Sequence, residues 1–524
     1  MKEAMDSQQY KSDSNYHQSK GVIQYMQNTI TRTAPSSMSI LLPLALAQFI
    51  CSYAASNMNV SISVIAKDLG TDVSGIQRTI TFFTLTMAAL MIPGSKLTDI
   101  WGRKFCLMLG LTVYGLGALI AAFAQGLGLL TFGYSLLEGV GTALLIPPVY
   151  ILVTVFFTDL PSRAKSFGII SAAGGIGAAA GPLIGGVITT AISWRASFIL
   201  QVLVVALIIV LSRRIPDPGI QGAKPRFDVI GAILSAAGLF FVVLGILQSG
   251  TYGWFTASKD FVLGTTVLIP QGGISPVWLF VGIGALFLVG FFFWIRSRER
   301  AGKDPLLSIR LFRNRTSNLG LVTQNIQWLI LQGSFFVISV FLQTERFQTT
   351  PQLAPIQTGL SLTPATIGIL LSSAIAGRLA KRRSQRMLIR AGFLVTIVGM
   401  LLLFLSLLTT SILAFIPGLL LMGLGVGVML TSSVNVVQSS FPEKDQGEIS
   451  GLSRSVSNLG SSLGVAIAGS VLVTSLVPEI KSYPLALITL VVIACIGLIA
   501  ALLLPPNPVQ SGTATQTGEI EGKA

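Results

Sequence analysis

The chain has 524 residues, of which 52% are hydrophobic and 10% charged, with a mean hydropathy of +0.76. Soluble domains carry charge on about a quarter of their residues, so this composition excludes an ordinary soluble protein and reads as a membrane protein. The formal net charge of +15 would suit a nucleic-acid binder, but the basic residues are scattered through short loops and no nucleic-acid partner is expected.

Residues 1–37 are rich in Ser, Gln, Asn, Tyr and Lys and lack the short apolar core of a cleavable signal. A disordered polar tail that stays attached is expected there, and a second one at 507–524. Apolar runs follow near 39–59, 78–97, 106–125, 128–154, 164–191, 194–213, 227–248, 277–296, 316–343, 357–379, 387–408, 411–437, 446–475 and 483–504. Each can cross about 30 Å of hydrocarbon as a helix. The expected fold class is therefore an all-α membrane protein with fourteen transmembrane helices, numbered below as spans in chain order. Loops after the even-numbered spans carry 23 Lys or Arg, charged span ends included, against 6 after the odd-numbered ones. The positive-inside rule then predicts a multi-pass protein of an inner or plasma membrane with both termini cytoplasmic.

After the second span comes SKLTDIWGRK, from Ser95 to Lys104. Here Asp99 is expected to pair with Arg103 and Lys104 and with the positive end of another helix, while Gly102 allows a tight turn. In the fourth span Glu138 lies about ten residues from the end, where a carboxylate is costly enough to mark a functional site. The stretch GGIGAAAGPLIGG (174–186) sets Gly177, Gly181 and Gly185 at every fourth position, a groove for close helix packing, with Gly186 beside it. Pro182 inside that groove predicts a bend. GLGVG at 423–427 has no preceding strand, so it is not a nucleotide loop. Arg454, within the thirteenth span, is expected to neutralise Glu138 or Asp99 or to line a cavity.

Ser95 and Leu97 match Gly377 and Leu379 at an offset of 282, and the glycine stripe matches Gly460 to Gly464 at 279. The agreement predicts a duplicated six-helix unit, 38–213 and 316–506, with an inserted helix pair and its linkers at 214–315. His17 is the single histidine, and Cys51, Cys106 and Cys495 fall in or beside apolar runs. No catalytic residue, metal site, disulfide or cofactor is expected, and the chain does not read as an enzyme.

These passages resemble the major facilitator superfamily, in particular its fourteen-helix drug:proton antiporter branch of multidrug efflux type. GAAAGPLIGG with SWRASF (193–198) is similar to that branch's fifth-helix signature. SKLTDIWGRK is similar to its loop between helices two and three, with Ser95 for the leading glycine. LLEGVGTALLIP (136–147), FDVIGA (227–232) and PLLSIRLFRNR (305–315) resemble further segments. The resemblance implies two six-helix halves rocking about a midplane cavity, a gating loop of Ser95, Asp99, Gly102, Arg103 and Lys104, and a latch between Asp99 and the thirteenth span. It implies export of small amphipathic organic compounds against proton entry across a lipid bilayer; the oligomeric state is not read from the sequence, and a monomer is the expectation. It also puts spans one, nine and twelve around the cavity, making Asn59, Gln324, Asn325, Gln327, Asn435, Gln438, Phe335 and Phe336 candidate substrate contacts, with Phe82 and Phe83 near them. The departures fall on coupling positions: Ser135 stands where the family usually has arginine, Glu138 where it has glutamine, Ala54 where an acid is frequent and Ser63 where a proline is. Glu138, Asp99 and Arg454 are then the proton-coupling candidates. The rival readings are an uncoupled uniporter, or an exporter of one metabolite, lipid or siderophore, and, of another class, a sensor or scaffold that transports nothing.

Overall fold

The computed structural model describes residues 37–157, 160–219, 226–263, 266–379, 383–441, 446–473 and 483–505. Apart from Ser37, the tails expected at 1–37 and 507–524 lie outside the described residues. Thirteen described helices are long and apolar enough to cross a membrane, and a bent pair makes a fourteenth. The bent one is the fifth span, Leu160–Ala191, whose segments Ser166–Ala178 and Ala180–Ala191 meet at 41°. Pro182 explains the place, since its missing N–H leaves the carbonyl one turn earlier, at Ala178, without its helical partner.

The other spans run as follows. The first is Ser37–Asn57, continued by the 3-10 turn Met58–Ser61 and the short helix Ile62–Asp68. The second and third are Val73–Trp101 and Arg103–Ala122. The fourth begins at Leu127–Leu130, passes through the π-helical segment Thr131–Glu138 and continues as Gly139–Phe156. The sixth, seventh and eighth are Trp194–Ser212, Val229–Tyr252 and Pro276–Arg300. The ninth is Arg315–Phe341, closed by a π turn at Leu342–Arg346. The tenth to fourteenth are Ala354–Leu379, Gln385–Leu407, Phe415–Gln438, Gln446–Val473 and Tyr483–Leu502.

Helix ends are built from side chains that satisfy the orphan amides of the first turn. Asp72 accepts from Gly75 N at 2.7 Å, Asp228 from Gly231 N at 3.0 Å and Asn314 from Ser317 N at 3.1 Å. Gly102 separates the second and third spans with φ near +100°, a region only glycine enters freely.

Packing between helices follows small residues. Gly177 meets the Phe49 carbonyl, Gly181 meets Ser56 and Gly185 meets Asn57, so the stripe seats the fifth span on the first. Gly460 and Gly464 meet the carbonyls of Asn325 and Leu329 and seat the thirteenth span on the ninth in the same way. Other pairs recur eight spans later as well: second on fourth and tenth on twelfth, third on sixth and eleventh on fourteenth. The first six and last six spans join along two seams, second against thirteenth and fifth against tenth. Gln77, Ser455 and Ser462 stitch the first seam, Ser455 Oγ donating to the Ala88 carbonyl at 2.5 Å and Ser462 Oγ to that of Thr81 at 3.1 Å.

The seventh span packs on the eighth and against the second and thirteenth, and the eighth is lipid-facing, with 17% of its apolar window buried against 89% in the ninth. The loop joining them departs from an all-helical reading. Phe261–Leu263 and Thr266–Ile269 pair as an antiparallel hairpin. Strands of three and four residues leave too few alternations to register as period two.

Candidate functional site

Between the two sets of six spans lies a cavity walled by the first, second, fourth, fifth, ninth and thirteenth spans. Met87, Met91, Ile146 and Trp328 give it an apolar surface, and Gln48, Gln332 and Asn458 supply amides. Arg454 is the one charged residue in this wall among the described residues. Its guanidinium stacks 4.7 Å above the Tyr150 ring, and Nη2 donates to the Tyr150 hydroxyl. Tyr150 in turn donates to Gln48 Oε1 at 3.2 Å. A chain of polar contacts thus crosses from the thirteenth span to the fourth and the first.

An amide of the ninth span clasps the C-terminal part of the first. Gln343, at the π turn of the ninth span, accepts from Ser63 N at 3.0 Å and Ser63 Oγ at 2.9 Å, and its Nε2 donates to the Asn59 carbonyl at 2.9 Å. The 3-10 break at Met58–Ser61 is what frees that carbonyl from the helical ladder. Beside this clasp Ser61 bonds Thr189 at 2.8 Å, and Thr190 accepts from Ile356 N at 3.1 Å, so spans one, five, nine and ten converge.

The second and thirteenth spans meet again at Ser95 and Lys96. Ser95 Oγ donates to the Gly447 carbonyl at 3.5 Å, its Cβ packs against Gly451, and Lys96 reaches Glu448 at 3.9 Å. Glu448 also accepts from Ser308 N at 3.0 Å, tying in the linker after the inserted pair. Asp99 has Lys96 and Arg103 as charged neighbours. No carboxylate–cation contact within 4 Å joins Asp99 to Arg103 or Lys104 among the described residues. Lys104 Nζ instead donates to the carbonyls of Arg213 and Ile215, at 3.2 and 2.6 Å. Glu448 is the acid that meets Lys96 at this seam.

Glu138 ends the π segment of the fourth span and is wholly buried. The Tyr114 hydroxyl stands beside its carboxyl group, and no other described residue donates to it. Cys51, Tyr53, Tyr114 and Tyr134 are its electrostatic neighbours, and the Tyr114 hydroxyl donates to Gln201 Oε1 at 2.5 Å. Cys51 of the first span and Thr142, one turn beyond Glu138 on the fourth, stand in the cavity wall. The carboxyl therefore lies one layer behind the cavity, inside the first six spans. Single π turns within α-helices cluster at functional positions, since the extra residue re-aims side chains.

The sequence matches the Major Facilitator Superfamily over residues 44–312, 261–465 and 326–523. The chain belongs to that superfamily. Among curated proteins it is similar to the multidrug resistance protein Stp of Mycobacterium tuberculosis, 26% identical over 82% of this chain and 75% of that one. It is 28% identical to the puromycin resistance protein pur8 of Streptomyces alboniger, over 82% and 81%. It is 27% identical to a probable actinorhodin transporter of Streptomyces coelicolor, over 79% and 68%. As a major facilitator protein it is a multi-pass membrane transporter and not an enzyme.

Within the major facilitator frame, the expected substrate contacts fall elsewhere than in the cavity wall. Gln324 bonds Ser453 and Ser457, each at 2.9 Å, and Asn325 donates to the Val456 carbonyl at 2.8 Å, holding the ninth span to the thirteenth. Gln327 accepts from Ser433 on the twelfth at 2.9 Å. Asn59 lies at the clasp, and its side-chain amide has no partner among the described residues. Phe335 and Phe336 are buried in the core. Phe83 stacks on Tyr134 at 4.4 Å, and Phe82 faces Phe240 of the inserted pair. Asn435 is exposed and Gln438 ends its helix, and neither lines the cavity. The twelfth span stays out of this wall because Gly423, Gly425 and Gly427 draw it against the tenth and eleventh. This is the work GLGVG does. The ninth span instead presents Trp328 and Gln332.

Three residues of the cavity wall and the clasp are not among the sequence candidates. Trp328 and Gln332 lie on one helical face, but nothing in the sequence says which face turns inward. Gln343 had a usable signal. The repeat offsets of 282 and 279 carry it to positions 61 and 64, beside Ser63 which it bonds. Of the departures, Ser135 donates to the Thr79 carbonyl at 2.7 Å and joins the fourth span to the second.

Proposed function

We propose that this protein exports amphipathic organic compounds by alternating access, driven by proton entry at Glu138. Glu138 carries the reading: a fully buried carboxyl beside the Tyr114 hydroxyl, one layer from the cavity, is costly to hold in a membrane interior and is placed to exchange a proton when the wall moves. The relatives' names, which speak of multidrug and puromycin resistance and of an actinorhodin transporter, support drugs and antibiotics as substrates. In this reading the Gln343 clasp and the Ser95/Lys96 seam with Glu448 are the contacts that alternate, and the fifth span's bend supplies the hinge. The charge bias of the loops supports cytoplasmic termini, so that the clasp faces outward.

Ser135 and Ala54, at positions where the family usually carries charge, favour facilitated transport as the second reading. Inside-out vesicles separate the two. With an acid interior, vesicles holding the protein should accumulate members of a panel of anionic, neutral and cationic amphipathic dyes. An uncoupler should collapse that accumulation, and external protease should clip both tails. Dye levels unaffected by the uncoupler would establish facilitation instead.

A further inference from the structure

Resting on the export reading, we infer that the cavity selects amphipathic solutes that carry an acidic group, with Arg454 as the counter-ion. An acid in the wall favours a lipophilic cation, and a fixed positive charge disfavours it. The described wall here has none, and its single charge is positive. The buried acid, Glu138, is screened from the cavity by Cys51 and Thr142. Asp99 and Glu448 stand at the far seam, where Lys96 already faces Glu448.

Arg454 is also short of partners. A guanidinium offers five N–H donors in a planar fork. One contact goes to the Tyr150 hydroxyl, and the face rests on the Tyr150 ring. No carboxylate lies within 4 Å of Arg454 among the described residues, and none of its nitrogens is an orphaned atom sealed from the open space. A cation held in a membrane interior without a counter-ion is costly. An organic carboxylate supplies that counter-ion and matches the fork with two parallel hydrogen bonds. Asn458 adds an amide to the same wall, and Trp328, Met87 and Met91 receive the apolar body. An amine on the same body would bring like charge to Arg454 with no carboxylate to offset it.

The test uses the purified full chain in nanodiscs of zwitterionic lipid and three ligands on one aromatic body: pyrenebutanoic acid, its methyl ester and pyrenebutylamine. Equilibrium dissociation constants at pH 7.5 are compared for wild type, Arg454→Lys and Arg454→Gln. The acid should bind wild type at least roughly tenfold more tightly than the amine, and Arg454→Gln should shrink the acid-to-ester preference by roughly tenfold, with Arg454→Lys between. An amine that binds as tightly as the acid overturns the inference, as does an acid-to-ester ratio unmoved by Arg454→Gln. If that variant does not fold, the wild-type ratio decides alone. Uphill transport of ester or amine but not of acid would sink this inference and leave export standing. Arg454-dependent binding of the acid, with no uphill movement of any of the three, would do the reverse.

Discussion

Gln343 spends its side-chain amide across the boundary between the first and ninth spans, with three hydrogen bonds to Asn59 and Ser63. Each such bond contributes about 1 kcal/mol net, and a buried group left unpaired costs about 1–3 kcal/mol. Gln343→Leu should therefore shift the equilibrium between these spans toward the separated state by roughly tenfold or more. Spin labels at Lys67 and Gln348 would report a larger long-distance population in the variant; identical distance distributions would mean that the clasp holds nothing shut. The same residue marks a limit of sequence reading. An intramembrane amide can be glue, gate or ligand, and its partner decides which. Gln324 and Asn325 look like Gln332 in the sequence, yet the first two are used up between helices while Gln332 stands in the cavity wall. Ionisable residues were easier. Glu138 and Arg454 drew attention because charge in hydrocarbon is costly, although only the fold shows that they do not meet.

At the scale of elements, the fifth span was the most legible. Its glycine period named the packing face, and Pro182 marked the bend. Neighbouring glycines in it should nevertheless behave oppositely. A methyl at Gly177 would press on the Phe49 carbonyl, whereas one at Gly175 meets nothing within 4 Å. Gly177→Ala is expected to destabilise by about 1–3 kcal/mol through overpacking, and Gly175→Ala to be neutral or stabilising by up to about 1 kcal/mol through helix propensity. Thermal unfolding in detergent measures both, and equal melting temperatures for the two variants would remove the close contact from the account. The hairpin between spans seven and eight and the π segment before Glu138 were illegible for a different reason. Each is set by packing around a few residues, below the length at which periodicity speaks.

At the scale of the whole molecule, helix contacts recur eight spans apart, and two seams join the sets that repeat. The sequence offsets near 280 anticipated that recurrence, because small residues that let helices touch must recur with the contacts they make. What the sequence left open is which helices leave a cavity between them, since that depends on how tightly the twelfth span is drawn aside. In the proton-driven reading, Glu138 senses that cavity through the Cys51 and Thr142 wall. The most direct measurement is substrate-triggered proton movement in proteoliposomes that enclose a pH-sensitive dye, for wild type and Glu138→Gln. Coupled proton flux in wild type, lost in the variant while substrate still binds, is the predicted result. Substrate-driven proton flux that persists in Glu138→Gln would contradict the assignment.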